Sequence, residues 1–338
     1  MPETAQESVP KAFAQALREL ALAGDEELLG APLTGGVSSD IWRIDTQRGT
    51  VCAKRALPKL RVAAEWFAPI ERNQYEARWM QVAWDALPGS APRVLGQHAA
   101  LGVLVMHYLP PERHRLWKEE LRLGRADVAT ARAIGKALAR IHGYSAAHAD
   151  LASQFDADQI FFDIRLEPYL VATASKHPDL APALRGLVEQ TRRLKLALVH
   201  GDVSPKNIFI GPDGPVFVDA ECASWGDPAF DLAFCLNHLL LKCLWTAGAT
   251  AAFLACFDAL AETYLDAVDW EPRTAVEQRA AALLPGLLLA RVDGKSPVEY
   301  VTSDAQRNTV RRTARALLMR PVSRLADVRV AWQKELRA

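Results

Sequence analysis

One stretch, LVHGDVSPKNIFIGPDGPVFVDAECASWGDPAFDLAF at residues 198–234, constrains the fold more than any other part of the chain. Three short apolar runs in and around it enclose a polar loop and a GPDG turn. The loop carries Asp202 and, five residues later, Asn207, and Asp219 follows after twelve more residues. Polar groups at strand ends, next to a tight hairpin, are how a rigid scaffold directs side chains into one cleft. We therefore predict that these three side chains converge.

The chemistry that this spacing fits is phosphoryl transfer. That reaction needs a base near the acceptor hydroxyl and oxygen ligands for a magnesium ion that bridges the phosphates. In kinase catalytic loops a base Asp is followed five residues later by a metal-binding Asn, and a second metal-binding Asp lies beyond a hairpin. Asp202, Asn207 and Asp219 reproduce that order. Any one of them alone would be better explained as a turn cap or half of a metal pair, but matches at fixed offsets favour the catalytic interpretation.

The same residues resemble the aminoglycoside phosphotransferase and choline kinase family, small-molecule kinases with a protein-kinase-like fold. In that family the loop reads HGD followed by Asn, an I/V-D-x-E motif comes next and D-P-x-x-D-L-A trails; this chain has HGDVSPKN, VDAE and DPAFDLA. The resemblance implies an α+β, bilobal fold, with a small antiparallel-sheet N-lobe over residues 1–109 and a larger, mainly helical C-lobe over residues 110–338. It also implies ATP and Mg2+ as cofactors, Asp202 as the catalytic base, and Asn207 and Asp219 as metal ligands.

Nucleotide-binding residues are expected upstream by the same resemblance. Gly35 and Gly36, in TGGVSS, would lay backbone amides over the phosphates, although that segment alone is typical of an ordinary turn. Lys54, in the apolar strand TVCAKRAL, would neutralise the phosphates and pair with a helix Glu. We favour Glu76 as that partner, because the apolar residues around it predict a buried stripe in the following helix. Glu71 stays open as the alternative.

Two further strands, 92–97 and 102–109, are predicted to complete the N-lobe sheet. The second resembles the strand that leads into the hinge between kinase lobes. The resemblance implies that Met106 lines the adenine pocket and that backbone groups from His107 to Leu109 hydrogen-bond the base. The prolines at 110 and 111 mark the expected lobe boundary.

Composition excludes several classes of protein. The 338 residues are 50% hydrophobic and 24% charged, with a formal net charge of zero. That balance argues against a nucleic-acid-binding surface and against attachment to an anionic membrane. The five cysteines have no metal-ligand spacing and their number suits no closed disulfide framework, so we expect buried thiols in a reducing compartment. The N-terminus has no apolar signal core, and we predict a soluble, cytoplasmic protein.

The region between the lobe boundary and the catalytic loop contains an amphipathic helix, 126–142, and an insertion, 143–195. The insertion reads as a pair of helices, a pattern of small-molecule kinases, and is predicted to build part of the acceptor site. It carries seven acidic and six basic residues. A pocket for a polycation should be richer in carboxylates, so an aminoglycoside acceptor is not specifically favoured.

Several polar residues downstream keep two interpretations. Asp231 is expected to cap the helix that follows it and to brace the catalytic loop by hydrogen bonds. Glu221 either touches a metal-bound water or holds its segment in place. Arg291, Asp293 and Lys295 form a polar turn that either reaches the acceptor site or simply ends a helix. The Arg-rich segment 306–320 is predicted to be a solvated helix face.

The leading functional hypothesis is an ATP-dependent kinase that acts on a hydroxyl of a small molecule. A protein kinase is the alternative enzyme, but the long insertion and Ser204, where protein kinases carry Lys, argue against it. A nucleotide-binding regulatory module without catalysis is the alternative from another class, and a metal-dependent hydrolase built on His200 and Asp202 is a distant one. The acceptor, which could be an antibiotic, a choline-like alcohol, a sugar or an amino-acid alcohol, and the oligomeric state are left open.

Overall fold

A computed structural model describes residues 6–33, 38–59 and 69–337 of the chain. The architecture is α+β, with a six-stranded sheet confined to the N-terminal third and helices dominating the remainder. Gly35 and Gly36 lie outside the described residues, so their expected contact with phosphate stays a prediction. The boundary between residues 109 and 110 likewise stays a prediction.

The N-terminal sheet is antiparallel throughout, with strand order β1-β2-β3-β4-β6-β5. Its long central strands alternate inward and outward side chains, and Lys54 projects from one of them. The strands are β1 (Glu7–Ser8), β2 (Leu29–Pro32), β3 (Ser39–Thr46), β4 (Gly49–Ala56), β5 (Val94–His98) and β6 (Val103–His107).

Two helices pack against this sheet. Helix α1 (Lys11–Glu19) buries Phe13 and Leu17 in a small core that includes sheet residues such as Val105. Helix α1 ends at Glu19, and the chain turns at Ala21, whose φ is +56°. Helix α2 (Arg72–Ala86) belongs instead to the larger core shared with the C-terminal helices.

The C-terminal region is mainly helical. Its central helix, α8, is buried over almost its whole length, which suits its nearly continuous apolar sequence. The helices are α3 (Trp117–Arg122), α4 (Val128–Ala147), α5 (Asp158–Phe161), α6 (Ala172–Lys176), α7 (Ala181–Arg193), α8 (Ala229–Trp245), α9 (Thr250–Asp266), α10 (Arg273–Asp293), α11 (Asp304–Met319) and α12 (Leu325–Glu335).

Helix α4 corresponds to the predicted amphipathic helix. Asp127 caps it by accepting the backbone N–H groups of Ala129 and Thr130 at 3.1 and 3.0 Å. The predicted insertion follows it and contains a π-helical stretch, Phe162–Val171, with Pro168 inside. Proline lacks the N–H that an α-helical turn needs, so the wider turn is the expected local solution.

Short strands frame the catalytic segment. β7 (Arg115–Leu116) and β10 (Gly214–Phe217) flank β9 (Ile208–Gly211), and β8 (Ala197–Val199) pairs with β11 (Ser224–Gly226). β9 and β10 form the predicted hairpin, in which the GPDG turn joins paired Gly211 and Gly214. The polar loop 200–207 is therefore anchored by a strand on each side.

The structure confirms free thiols for the cysteines and changes the interpretation of the Arg-rich C-terminal segment. All five cysteines are free thiols, and four of them are buried. Helix α11 is more than a solvated face, because Val310 and Leu317 pack into the core while Arg311 and Arg315 pair with carboxylates. Across the ranges that the structure describes, no helix is both long and apolar enough to cross a bilayer.

Candidate active site

The polar loop is braced by one buried carboxylate. Asp231, near the start of α8, accepts the backbone N–H of His200 at 2.6 Å and that of Gly201 at 2.9 Å. It also contacts the His142 ring at 3.2 Å. The expected brace is present, but the expected cap is not: Asp227 accepts the N–H of Ala229 at the helix start instead. Because the two bonds fix consecutive peptides, they set the direction in which Asp202 leaves the loop.

Gly201 allows the loop to turn where it does. Its φ is +78°, in the left-handed region, and a Cβ there would lie 2.9 Å from both the carbonyl oxygen and the Cβ of Cys222. The site thus requires glycine for conformation and for space. The loop and the segment after Asp219 are in contact because no side chain separates them.

Asp202 is buried among cations. Its Oδ2 lies 2.7 Å from Nη2 of Arg165 and 3.1 Å from Nζ of Lys206, while Ser204 Oγ donates to Oδ1 at 3.3 Å. Burial alone would raise the pKa of this carboxyl, but the charges of Arg165 and Lys206 outweigh burial and lower it below its ordinary value. Asp202 is consequently a carboxylate at neutral pH, as a proton acceptor must be.

Asn207 ends the loop in a single 3-10 turn, Pro205–Asn207. Its side-chain amide donates to the carbonyl of Asp202 at 3.0 Å, which turns the Nδ2 end inward and leaves the oxygen end for another partner. Its own carbonyl accepts the N–H of Val218 at 3.0 Å. This bond ties Asn207 to the residue immediately before Asp219.

Asp219 follows β10 with a φ of +67°, a conformation that Asp tolerates better than most residues but that still costs about 1–3 kcal/mol. One of its oxygens contacts the ammonium of Lys54. Burial alone would raise the pKa of Asp219, but Lys54 and Lys206 outweigh burial and hold it well below its ordinary value. The backbone strain aims an ionised carboxylate at the sheet.

Lys54 lies between two carboxylates. Besides Asp219, its Nζ contacts Glu76 Oε2 at 2.8 Å and Oε1 at 3.0 Å, and both side chains are almost fully buried. Burial lowers the pKa of Lys54, yet Asp219 and Glu76 together raise it above its ordinary value, so the ammonium stays charged. Burial raises the pKa of Glu76, and Lys54 offsets only part of that rise since its charge is shared. Glu71, the alternative partner, is exposed.

A second buried ion pair holds the same elements together. Arg72 Nε lies 2.9 Å from Glu221 Oε2, and both side chains are buried. Arg72 also donates to the carbonyls of Ser38 and Leu57 at 2.6 and 2.7 Å. Glu221 therefore holds its segment in place, which is the structural one of its two predicted interpretations.

The sequence matches a known family over most of this architecture. The sequence model of the phosphotransferase enzyme family (APH) matches residues 30–270, which include both lobes and the whole site. The chain belongs to this family. The resemblance predicted from the catalytic loop is thereby confirmed.

Relatives of this phosphotransferase family member include methylthioribose kinases. That of Cronobacter sakazakii is 26% identical over an alignment of 254 residues, and the match covers 65% of this chain and 62% of that protein. That of Yersinia pseudotuberculosis is 29% identical over an alignment of 223 residues, and the match covers 57% of this chain and 53% of that protein. The chain thus spans between about half and two thirds of the length of these relatives.

Solved structures of small-molecule kinases share the fold. The choline kinase of Cryptosporidium parvum has a TM-score of 0.57 at 10% identity, covering 96% of this chain and 99% of that one. An amicoumacin kinase in complex with AMP-PNP, Ca2+ and Ami has a TM-score of 0.54 at 13% identity, covering 92% and 95%. At these identities the likeness establishes the bilobal kinase-like fold and nothing finer.

The predicted adenine-binding strand is β6, where Met106 is buried and His107 is exposed. The N–H of His107 already donates to the carbonyl of Arg93 at 3.0 Å. The N–H of His107 is therefore engaged within the protein, and the expected contact of adenine with backbone groups from His107 to Leu109 stays a prediction.

Two arginines of the site were missed by sequence reasoning. Arg72 sits in α2 one turn before Glu76, and Arg165 sits in the insertion, where its guanidinium also donates to the carbonyl of Gly201. Each arginine lies in a segment with helical spacing of apolar residues, where an arginine is usually expected to extend its charge into solvent. For Arg72 alone, the sequence offers one signal. Residues four apart share a helix face, so the inward direction expected for Glu76 also predicts an inward direction for Arg72.

Proposed function

We propose that the protein is an ATP-dependent phosphotransferase that moves the γ-phosphoryl group to a hydroxyl of a small molecule. The observation that carries this proposal is the contact of Lys54, from the N-lobe sheet, with Asp219 from the catalytic segment. It unites the phosphate-binding cation and the metal-binding carboxylate that phosphoryl transfer requires. Family membership supports the reaction class.

The residues present fit a magnesium ion. Asn207 and Asp219 offer the amide and carboxylate oxygens that Mg2+ prefers, and within the described ranges no group of three His, Cys, Asp or Glu forms a closed metal cage. Mg2+ is usually held by one or two protein ligands, with phosphates and water completing its shell. When bound, the ion would offset charge on the β- and γ-phosphates.

Asp202 is assigned the role of base. The acceptor hydroxyl would donate a hydrogen bond to its carboxylate, which aligns the oxygen for attack on the γ-phosphorus. As the new O–P bond forms, the bond to the β–γ bridging oxygen breaks, the hydroxyl proton passes to Asp202 and ADP leaves. Lys54 would bind the phosphates, with Glu76 holding its ammonium in place.

Replacement of the base tests the proposal. In Asp202→Asn, acceptor-stimulated ADP release should fall about 10²–10⁴-fold, while binding of AMP-PNP with Mg2+ is retained. Asp213→Asn is the matched control, because it makes the same change at an exposed position in the neighbouring hairpin turn. The assay uses small hydroxyl compounds, including methylthioribose, next to a set of proteins as acceptors.

Each contrary outcome has a distinct meaning. Unchanged turnover in Asp202→Asn removes that residue from the mechanism. Phosphate transferred to proteins and to none of the small compounds indicates a protein kinase. Nucleotide binding by the wild type without turnover of any acceptor indicates a regulatory module.

A further inference from the structure

Four buried polar side chains near the site have no part in the mechanism above. His238 and Lys242 lie one turn apart on α8, Arg291 is on α10, and Tyr300 follows in the next loop. Their exposed fractions are 6%, 1%, 9% and 8% respectively. Because Lys242 and Arg291 carry a positive charge when protonated, we refer to the four residues together as the cationic cluster.

The cluster has unmet polar capacity. Nε of Arg291 and the hydroxyl of Tyr300 have no hydrogen-bond partner among the described residues. The Lys242 ammonium lies 3.8 and 4.0 Å from the ring centroids of Trp245 and Tyr300, and it forms no ion pair with any carboxylate in the part of the chain that the structure describes. A buried cation without a counter-charge is costly, and an anionic ligand would supply the missing charge.

Contacts between neighbouring side chains connect the cluster to the catalytic base. Nη1 of Arg291 lies 2.9 Å from the hydroxyl of Tyr169. The Arg165 guanidinium lies 6.0 Å from the Tyr169 ring and 5.8 Å from the Phe234 ring, and Phe234 stacks edge-on against His238. Arg165 in turn touches Asp202. A chain of side-chain contacts therefore joins the cluster to the base.

Nearby carboxylates are already engaged with other cations. Glu299, whose charge reaches Lys242, lies 2.6 Å from Lys118. Asp293 is held by His177 and by Arg311 at 2.9 and 2.6 Å. The region around the cluster is thus left with an excess of positive groups, the opposite of what a choline-like or aminoglycoside cation would need.

The pKa shifts of the cluster residues agree with an excess of positive charge around them. Burial, together with the charges of Lys118 and Arg291, lowers the pKa of Lys242 to about 7, and the charges of Glu299 and Glu119 oppose this shift. Burial and the cations Arg291 and Lys242 lower the pKa of His238 well below its ordinary value. A bound anion would reverse the first of these shifts, since an opposite charge favours the protonated amine.

The cluster borders the insertion, which is predicted to build part of the acceptor site. Its residues belong to α8, to α10 and to the loop after α10, and they contact Tyr169 of the insertion. Under the proposed function, the triphosphate is bound by Lys54 of the sheet and not by the cluster. We infer that the cationic cluster binds an anionic group, a carboxylate or a phosphate, of the hydroxyl acceptor. That the ligand is the acceptor rests on the proposed function.

A matched acceptor series tests this inference. Glycerate and glycerol 3-phosphate carry the two anionic groups, glycerol is neutral, 3-amino-1,2-propanediol is cationic, and methylthioribose is a larger neutral compound. With Mg2+ and ATP, we expect kcat/KM for an anionic member to exceed that for glycerol by at least about tenfold, the factor that one charge-assisted hydrogen bond supplies. Comparison of the two anions separates carboxylate from phosphate.

A variant in the cluster makes the test specific. Lys242→Met removes the charge and keeps an apolar side chain of similar length between Trp245 and Tyr300, so the fold should hold. It should raise KM for the preferred anion about tenfold or more and shrink the difference between anionic and neutral members. Lys136→Met, which removes an exposed cation of α4, is the control and should change neither.

If no compound of the series is phosphorylated, a measurement of their binding tests the anion site instead. The melting temperature is then measured with saturating AMP-PNP and Mg2+, and with each compound added. Stabilisation by the anions in the wild type but not in Lys242→Met supports the anion site while counting against the proposed transfer reaction. A preference for neutral or cationic members, an anion preference that survives in Lys242→Met, or no stabilisation by either anion overturns the inference.

Discussion

At the scale of single residues, the site depends on backbone conformations that most residues avoid. Asp219 has a φ of +67°, and Gly201, next to the base, has a φ of +78°. Cys222 follows three residues after Asp219, and its carbonyl fills the space that a side chain at 201 would need. Strain of this kind persists only where the surrounding structure fixes it, and it marks places where side-chain direction matters.

Gly201→Ala should therefore impair both stability and turnover. The left-handed conformation and the contact with Cys222 together should lower the free energy of unfolding by about 1–3 kcal/mol, measured by urea denaturation. Gly102→Ala is a close control, because Gly102 has a φ of +62° but open space around its Cα. Equal losses in the two variants would show that the Cys222 contact is unimportant.

The ionisation of Asp202 gives a pH prediction. Because its pKa is below the ordinary 3.8, the base stays deprotonated at every pH above that value, and kcat/KM should not fall on acidification until the pH approaches it. Arg165→Gln removes the nearest cation, so the pKa of Asp202 should rise and the acid limb of kcat/KM should move up by about one to three pH units. Arg185→Gln, at an exposed site in α7, should leave the limb in place. An unmoved limb in Arg165→Gln would mean that the limb reports another group.

At the scale of secondary-structure elements, α2 is tied to the catalytic segment by two ion pairs. Arg72 and Glu76 lie one turn apart on its inner face and reach Glu221 and Lys54. Arg72 contacts Glu221 directly, and Glu76 is linked to Asp219 through Lys54, which contacts both carboxylates. Both links therefore reach the same three residues, 219–221. The position of α2 and the direction of Asp219 are thus coupled.

Removal of one partner of the Arg72–Glu221 pair should be severe. Glu221→Ala removes a carboxylate that contacts the buried guanidinium of Arg72 and should lower the free energy of unfolding by about 1.5–3 kcal/mol, measured by urea denaturation. Glu71→Ala, an exposed carboxylate at the start of the same helix, should stay within about 0.5 kcal/mol of the wild type. A comparable loss in both variants would argue against a special role for the buried pair.

At the scale of the whole molecule, the two lobes share a core. Trp79 of α2 is fully buried, and its ring lies 4.6 Å from that of His200 and 6.2 Å from that of Phe217. The larger apolar cluster runs from α2 through the C-terminal helices, whereas the smaller one is confined to the outer face of the sheet. A nucleotide bound between Lys54 and Asp219 would therefore stabilise the molecule as one unit.

Thermal denaturation can measure that stabilisation. Mg2+ and AMP-PNP at about one hundred times the dissociation constant should add about 2.7 kcal/mol to the free energy of unfolding and raise the melting temperature of the wild type. Lys54→Met should abolish most of the increase, while Lys195→Met, at a partly exposed site, should retain it. A full increase in Lys54→Met would exclude Lys54 from nucleotide binding.

The sequence by itself determined the family, the α+β fold and the order of the catalytic loop, because these depend on short-range spacing and on hydrophobic periodicity. The contact of Lys54 with Glu76 rather than Glu71 also followed from the apolar stripe of α2. Only the tertiary structure revealed Arg72, Arg165 and the cationic cluster. Their burial depends on which helices pack together, and an arginine or lysine in a helix has the same sequence pattern whether solvent or a carboxylate surrounds its charge.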